Sequence, residues 1–363
     1  MRESDAAFEE WYIRSSYQEF VRREGAPLYE GSALEDLVTL KLADWERRGG
    51  KVAYTRLGNQ EQHALQIIEI PPGGELKPEH HVYDAIMYVM SGRGATTIWQ
   101  EGEPKRTVEW QEGSLLAIPL NAWHQEFNNS GTEPCRILFG TNMAHVINFY
   151  NNLDFVFDCP FSFTDRYSHS AEKYFDYRKY WQLRMLETNF IPDIRNFSLD
   201  AYPERGNRTA IMRLAMSNVN LGMHVMSVAE GTYATAHRHT AGAHVIVIEG
   251  DGYELLYMPG EEKERRKVGA RAYAVVAPKL NEFHHHFNTG KGEYKMLAFR
   301  GFGVRYGWGG TYDPAATAQS KDPYQMSFMI PFELEDPAIR EEYYRELEKN
   351  GVEARLAPVI QKG

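Results

Sequence analysis

Cysteine is almost missing from this chain. Cys135 and Cys159 are the only two among 363 residues, and they form no CxxC pair. That excludes a disulfide-stapled scaffold and a cysteine-rich metal module, and it points to a reducing, cytoplasmic setting. Long apolar runs are lacking too. No stretch reaches the roughly 18 apolar residues of a membrane-spanning helix, and the opening MRESDAAFEEWYIRSS has no apolar signal-peptide segment. There is no excess of basic charge: 40 Lys and Arg stand against 50 Asp and Glu, a net charge of -10. This is not the footprint of a nucleic-acid binder. The one tight basic cluster, Lys263 to Lys267 (KERRK), is interleaved with acids and reads as a solvated turn. Hydrophobic residues at 43% and aromatics at 13% suffice for sizeable cores. The length exceeds one compact domain and suits two with extensions.

What the chain does have is a copy of itself. LQIIEIPPGGELKPEHHVYDAIMYVMSGRG, Leu65 to Gly94, matches MHVMSVAEGTYATAHRHTAGAHVIVIEGDG, Met223 to Gly252, at an ungapped offset of 158 residues. Gly73 falls on Gly231, Ala85 on Ala243, Gly92 on Gly250 and Gly94 on Gly252. The likeness resumes between PLNAWHQEFNNSG (119–131) and PKLNEFHHHFNTG (278–290), where a two-residue insertion brings His124 onto His284 and Asn128 onto Asn288. A repeat of this length is a duplicated domain, not a solenoid unit. Short apolar runs, AIMYVM and HVIVIE, are bounded by the Gly turns SGRG and EGDG, so each copy reads as a β-barrel. Three further segments read as helices: Leu34–Arg48, Glu172–Glu187 and Pro337–Lys349.

The second copy carries a metal-ligand pattern: Gly231, five residues, His237, one residue, His239, then Gly250, and later Pro278, His284 and Asn288. Two strand histidines and one from a later antiparallel strand can converge on one ion inside a barrel. Neutral imidazoles suit Fe, Zn, Cu and Ni. The pattern resembles that of the cupins, and the resemblance implies a glutamate ligand at the place that Ala243 occupies here, so the centre keeps its positive charge and open positions. That combination favours an anionic chelating substrate.

This spacing matches the cupin pattern, and HRHTAGAHVIVIEG resembles the gentisate 1,2-dioxygenase family, which has the same HRHT and an alanine in place of the glutamate. The resemblance implies a mainly β bicupin fold: two double-stranded β-helix (jelly-roll) barrels with N-terminal, linker and C-terminal helices. It also implies a non-haem Fe(II) ring-cleaving activity. In that family the complete site lies in the N-terminal cupin; here it lies in the C-terminal one. The expected division is an N-terminal helical extension (1–50), a first barrel (51–150), a linker with a helix (151–205), a second barrel with the metal site (206–312) and a tail with a helix (313–363).

In the first copy Glu79, His81 and His124 take the places of the three histidines, a two-histidine, one-carboxylate set that is either a second metal site or a hydrogen-bonded remnant. His80 competes with Glu79 for the inward position. His286 is a candidate second-shell or acid/base group, and Arg300, ending the strand KMLAFR, a candidate holder of a substrate carboxylate. His285 is expected at the surface and His244 in a structural role, while His224 has no support from the pattern. Tyr83, Tyr88 and Trp99 read as core. Arg305, Tyr306 and Trp308 lie in a Gly-rich stretch over the barrel, and Tyr253 and Tyr257 line either a cavity or an inter-barrel face.

The resulting expectation is an Fe(II)-dependent dioxygenase acting on a small aromatic or enolisable anion with O2, with Mn, Zn, Ni or Cu as other metals the site would take. Two rivals stay open: a Mn or Zn decarboxylase, lyase or isomerase that needs no O2, and a metal-containing binding protein without turnover. Neither nucleic acid nor membrane is expected as a partner. A homodimer is expected from the general prevalence of two-fold assemblies and the aromatic linker from Phe155 to Tyr180.

Overall fold

The strand Ala85–Ser91 turns Ala85, Met87 and Val89 to one face and Ile86, Tyr88 and Met90 to the other, the two-residue period of β structure. In the computed structural model, which describes residues 8, 11–12, 15–167, 173–217, 220–239, 242–301 and 329–356, the first set joins a core inside one barrel. The second set joins a core shared by both barrels. Ala243–Glu249 repeats this in the second half: Ala243, Val245 and Val247 face their own barrel, and Ile246 and Ile248 face the shared core. Burial on both faces explains why these runs are apolar throughout rather than alternating.

Each half is a large sheet facing a small one. In the first, the large sheet runs Leu28–Gly31, Lys51–Leu57, Ala64–Ile70, Cys135–Thr141, Ala85–Ser91, Leu115–Ile118, and the small one Trp123–Asn128, Arg93–Trp99, Arg106–Gln111. In the second, Met185–Thr188, Thr209–Ala215, Gly222–Val228, Tyr294–Arg300, Ala243–Glu249, Val275–Val276 face Tyr233–His237, Phe283–Asn288, Asp251–Tyr257, Arg266–Arg271. These are the two expected jelly-roll barrels. The halves also exchange edge strands. Ala33–Leu34, before the first barrel, pairs with Val275–Val276 of the second. Phe190–Ile191, in the linker, pairs with Leu115–Leu116 of the first. Each exchange covers a sheet edge that would otherwise be open. In the seam Gly140 meets Phe299 so closely that a Cβ would lie 2.3 Å from the ring.

The helix expected over Pro337–Lys349 is present as Pro337–Asn350, capped by the Asp336 side chain on the Ala338 N–H. It closes the second barrel's small sheet with Ile339, Tyr343 and Leu347. The nearby basic cluster is not simply solvated, since Lys267 bridges Glu342 and Glu346 on this helix.

Two helix expectations are corrected. Leu34–Arg48 contains turns and the short strands Ala33–Leu34 and Ala43–Asp44. Asp36 accepts the N–H of Val38, a local bond that competes with a helix, and the Arg136 guanidinium takes the carbonyls of Leu37, Val38 and Leu40. The N-terminal helix is instead Ser16–Arg23, capped by Ser15. Glu172–Glu187, of which Glu172 lies outside the described residues, is a hairpin of Arg178–Trp181 and Met185–Thr188. Leu183 and Arg184 at its turn have φ of 62° and 58°, which no α-helix allows.

The shared core makes a direct prediction. Phe299 is fully buried there, so Phe299→Ala should cost about 3–5 kcal/mol of unfolding free energy. Urea denaturation followed by fluorescence checks it, and a change below about 1 kcal/mol would mean that the seam is not a cooperative core.

Candidate metal centre

His237 ends the strand Tyr233–His237 and sits opposite His284 on Phe283–Asn288. His286 follows two residues later on the same face. One nitrogen of each ring is already committed. His237 Nδ1 donates to the His284 carbonyl at 3.2 Å, and His284 Nδ1 donates to the Glu282 carbonyl at 3.2 Å. His286 Nδ1 lies 2.6 Å from Glu254 Oε2. A carbonyl oxygen can only accept, so Nδ1 of His237 and of His284 carries the proton and their Nε2 atoms present lone pairs. One ring nitrogen each from His237, His284 and His286 lies within 4.8 Å of the others. Burial, then the charge of Arg205, holds His237 well below its ordinary range; burial, then His239, does the same to His284. Both rings are therefore neutral at physiological pH, the form that binds metal. This donor set, with its tautomers fixed by outer hydrogen bonds, fits a divalent transition-metal ion.

The expected third ligand, His239, follows the strand rather than lying on it, with its carbonyl held by the Asn281 N–H at 3.0 Å. Its ring centroid is 5.0 Å from that of His284 and 5.6 Å from that of His237. All four rings line one cavity with His224, Ala243 and Arg300. The structure thus brings together His237, His239, His284, His286 and Arg300, and it groups His286 with the ligands rather than behind them. Its signal was in the sequence: Phe283–Asn288 reads FHHHFN, and residues two apart share a face. Among the described residues no carboxylate lines the cavity, which has roughly the room of one water.

His285 is not at the surface. It points away from the cavity but is fully buried, 3.5 Å from Glu335 and 3.2 Å from the Tyr257 hydroxyl. The segment before the C-terminal helix covers it, which alternation along one strand cannot reveal. Tyr253 stacks on Phe287 under that helix, so neither tyrosine lines the cavity. Arg305, Tyr306 and Trp308 lie outside the described residues. Arg205, buried beside the site, was not singled out in the sequence; nothing in PERG marks it.

The first barrel answers the same pattern differently. Glu79, His81 and His124 do converge. His80 turns aside to Asn121 and Trp123. Glu79 accepts from Arg48 Nη1 at 2.7 Å and from Arg47. Arg48 also donates to Glu126 Oε2 at 2.8 Å, and His124 Nδ1 lies 2.6 Å from Glu126 Oε1. Arg48 is 1% exposed and Glu126 fully buried. Burial alone would raise the Glu79 carboxyl; the guanidiniums of Arg48 and Arg47 outweigh it and hold it well below the usual range. His81 Nδ1 donates to the Tyr83 carbonyl, and its Nε2 meets His124 Nε2 at 3.2 Å. Arg47 also pairs with Glu24 at 3.0 Å, so two guanidiniums within the chain already offset most of the charge of three linked carboxylates, Glu24, Glu79 and Glu126.

Residues 66–140 match the family model of the cupin domain. The fold is a bicupin. Bacillus subtilis oxalate decarboxylase shares it with a TM-score of 0.50 and 13% identity, over 76% of this chain and 78% of that chain. Hazelnut (Corylus avellana) vicilin aligns at 0.48 and 14%, over 74% and 85%, and a Momordica charantia 7S globulin at 0.48 and 14%, over 74% and 83%. At such identities the likeness is one of fold. No curated protein sequence matches the chain. The cupin match covers the first barrel, while the histidine-rich cavity belongs to the second. No helix among the described residues is long and apolar enough to cross a membrane.

Arg48 offers a test. Arg48→Met leaves Glu79 and Glu126 buried without their shared cation and should cost about 3–5 kcal/mol near neutral pH. The lowered Glu79 pKa adds stability above the ordinary carboxylate range and loses it as pH falls, so the deficit should narrow towards about pH 3. Denaturant titrations at both pH values measure it; a deficit independent of pH would contradict the electrostatic account.

Proposed function

We propose that this bicupin is a metal-dependent enzyme whose second barrel uses Fe(II) and O2 to oxidise a small aromatic or enolisable anion. The observation that carries this reading is a buried cavity lined by five imidazoles and Arg300, with no carboxylate among the described residues that line it. The HRHT sequence with Ala243, resembling gentisate 1,2-dioxygenases, supports it. Bound by His237, His284 and either His239 or His286, a divalent iron would supply Lewis acidity and the electron exchange that O2 chemistry requires.

The chain's own residues supply the rest. Arg300 ends the strand Tyr294–Arg300 opposite Ala243 and is the cation placed to hold a substrate carboxylate. Glu254 backs His286, and the Tyr294 hydroxyl donates to its other oxygen at 3.0 Å. Burial of His237, His239, His284 and His286 keeps bulk water from the reacting groups.

The second reading, a Mn or Zn lyase, decarboxylase or isomerase, has one observation in its favour: the small cavity suits a short-chain acid better than a ring. Oxygen-electrode assays with catechols, gentisate, salicylates and diketones separate the two. On the first reading O2 is consumed only with Fe(II), and His284→Ala abolishes consumption. Arg300→Ala should raise KM by roughly 10- to 100-fold, the worth of a charge-assisted contact, with a smaller loss in kcat. Turnover at the aerobic rate under strict anaerobiosis would remove oxygenation and leave the lyase reading.

A further inference from the structure

The loop between Lys51–Leu57 and Ala64–Ile70 belongs to the first barrel, yet it packs against the second beside residues next to Ala243 and Arg300, which line the cavity. The Gln60 amide fills the space where a side chain on Gly242 would stand, and a Cβ on Gly58 would meet the carbonyls of Pro278 and Ala277 at 3.1 and 3.2 Å. Gln62 Oε1 accepts the Gly242 N–H at 3.4 Å. His63 packs on His244 with ring centroids 4.2 Å apart, and Gly301, next to Arg300, sits against Gln62 and His63. Residues 58–63 therefore touch three segments that frame the histidine cavity: the one entering Ala243, the one leading to His284 and the one following Arg300.

Two side chains of this loop are buried with polar atoms unused. Gln60 is 6% and His63 0% exposed. Neither amide atom of Gln60 and neither ring nitrogen of His63 has a hydrogen-bond partner among the described residues. Buried polar atoms are nearly always paired, and leaving them open costs stability. The duplicated half shows how the same junction looks when it is purely structural. The repeat places Asp84 on Gly242 and Asn220 on Gln62. There Asp84 Oδ2 accepts the Asn220 N–H at 2.9 Å and the Asn142 amide at 3.0 Å. In the first barrel this junction is closed by protein–protein hydrogen bonds; in the second, Gln62 bonds Gly242 while the polar atoms of Gln60 and His63 have no hydrogen-bond partner among the described residues.

We propose that Gln60 and His63 are ligand-recognition residues which the first barrel supplies to the second barrel's site, where they bind a small carboxylate-bearing anion alongside Arg300. Gln60 Nε2 donates, and a neutral imidazole offers one donor and one acceptor, a set that suits a carboxylate with a neighbouring hydroxyl or carbonyl oxygen. His63 is within electrostatic reach of His239 and Arg300. The proposal rests on the reading of this cavity as an anion site but not on the use of O2.

The test is calorimetric titration of salicylate and of malonate into the full-length protein, with and without Zn(II). The wild type should bind at least one of them. Gln60→Leu, which keeps the shape, and His63→Ala should each weaken binding about tenfold or more, one missing hydrogen bond's worth or greater, at unchanged Zn(II) content. His63→Gln should restore part of the loss. If the two residues merely join the barrels, melting temperatures fall while affinities stay, and the proposal is overturned. It is equally overturned if the wild type binds neither anion. Failure of the oxygenase reading would show elsewhere, as turnover without O2, with these affinity losses intact.

Discussion

Everything in this molecule hangs on two large sheets that are buried on both faces. The outer face of each packs into its own barrel and the other face packs against its duplicate, through Leu57, Leu65, Tyr88 and Leu138 on one side and Leu214, Met223, Leu297 and Phe299 on the other. An interior built this way is dense and intolerant of polar groups. Polar chemistry is therefore concentrated in the small sheets and the loops at the barrel mouths, with His224 and Arg300 as the large sheet's contribution to the cavity. The exchanged edge strands Ala33–Leu34 and Phe190–Ile191 hold those mouths in register with the opposite barrel. That is how a loop of one half comes to lie beside the histidines of the other.

Within that frame, duplication followed by divergence has given one layout two electrostatic solutions. Both barrels place a ligand-type residue at the same three positions. In the second, backbone carbonyls fix the protons on Nδ1 of His237 and His284 and leave their Nε2 lone pairs free for an ion. In the first, Arg48 stands between Glu79 and Glu126 and supplies within the chain the positive charge that an ion would otherwise bring. A buried ion pair of this kind holds as long as both partners stay, and losing one exposes the other to the full cost of burial.

Much of this could be read from the sequence because a duplication tests itself. The 158-residue offset, the Gly turns and the positions of His237, His239 and His284 need no tertiary information. What stayed hidden was set by contacts distant in sequence. Leu34–Arg48 has a helical spacing of apolar residues, but Leu37 belongs to the inter-barrel core and Arg136, far along the chain, claims the carbonyls a helix would use. Within Glu172–Glu187 a helix gives way to strand because Met185–Glu187 pairs with Arg213–Ala215. His285 alternates outward as expected, yet the outward side is covered by Glu335 and the C-terminal segment. The parts played by Arg48 and by Gln60 and His63 are set by partners 31 to 78 residues away or in the other barrel, and no local pattern announces them.

The central claim is that one barrel, the second, holds the metal. Elemental analysis of protein reconstituted anaerobically with Fe(II) and then desalted tests it most directly, on the wild type, His284→Ala and His124→Ala. The account predicts about one ion per chain in the wild type, none in His284→Ala, and an unchanged content in His124→Ala, because neutral lone pairs hold the ion in one barrel while guanidiniums fill that role in the other. Metal retained by His284→Ala and lost from His124→Ala would contradict it and move the centre to the first barrel.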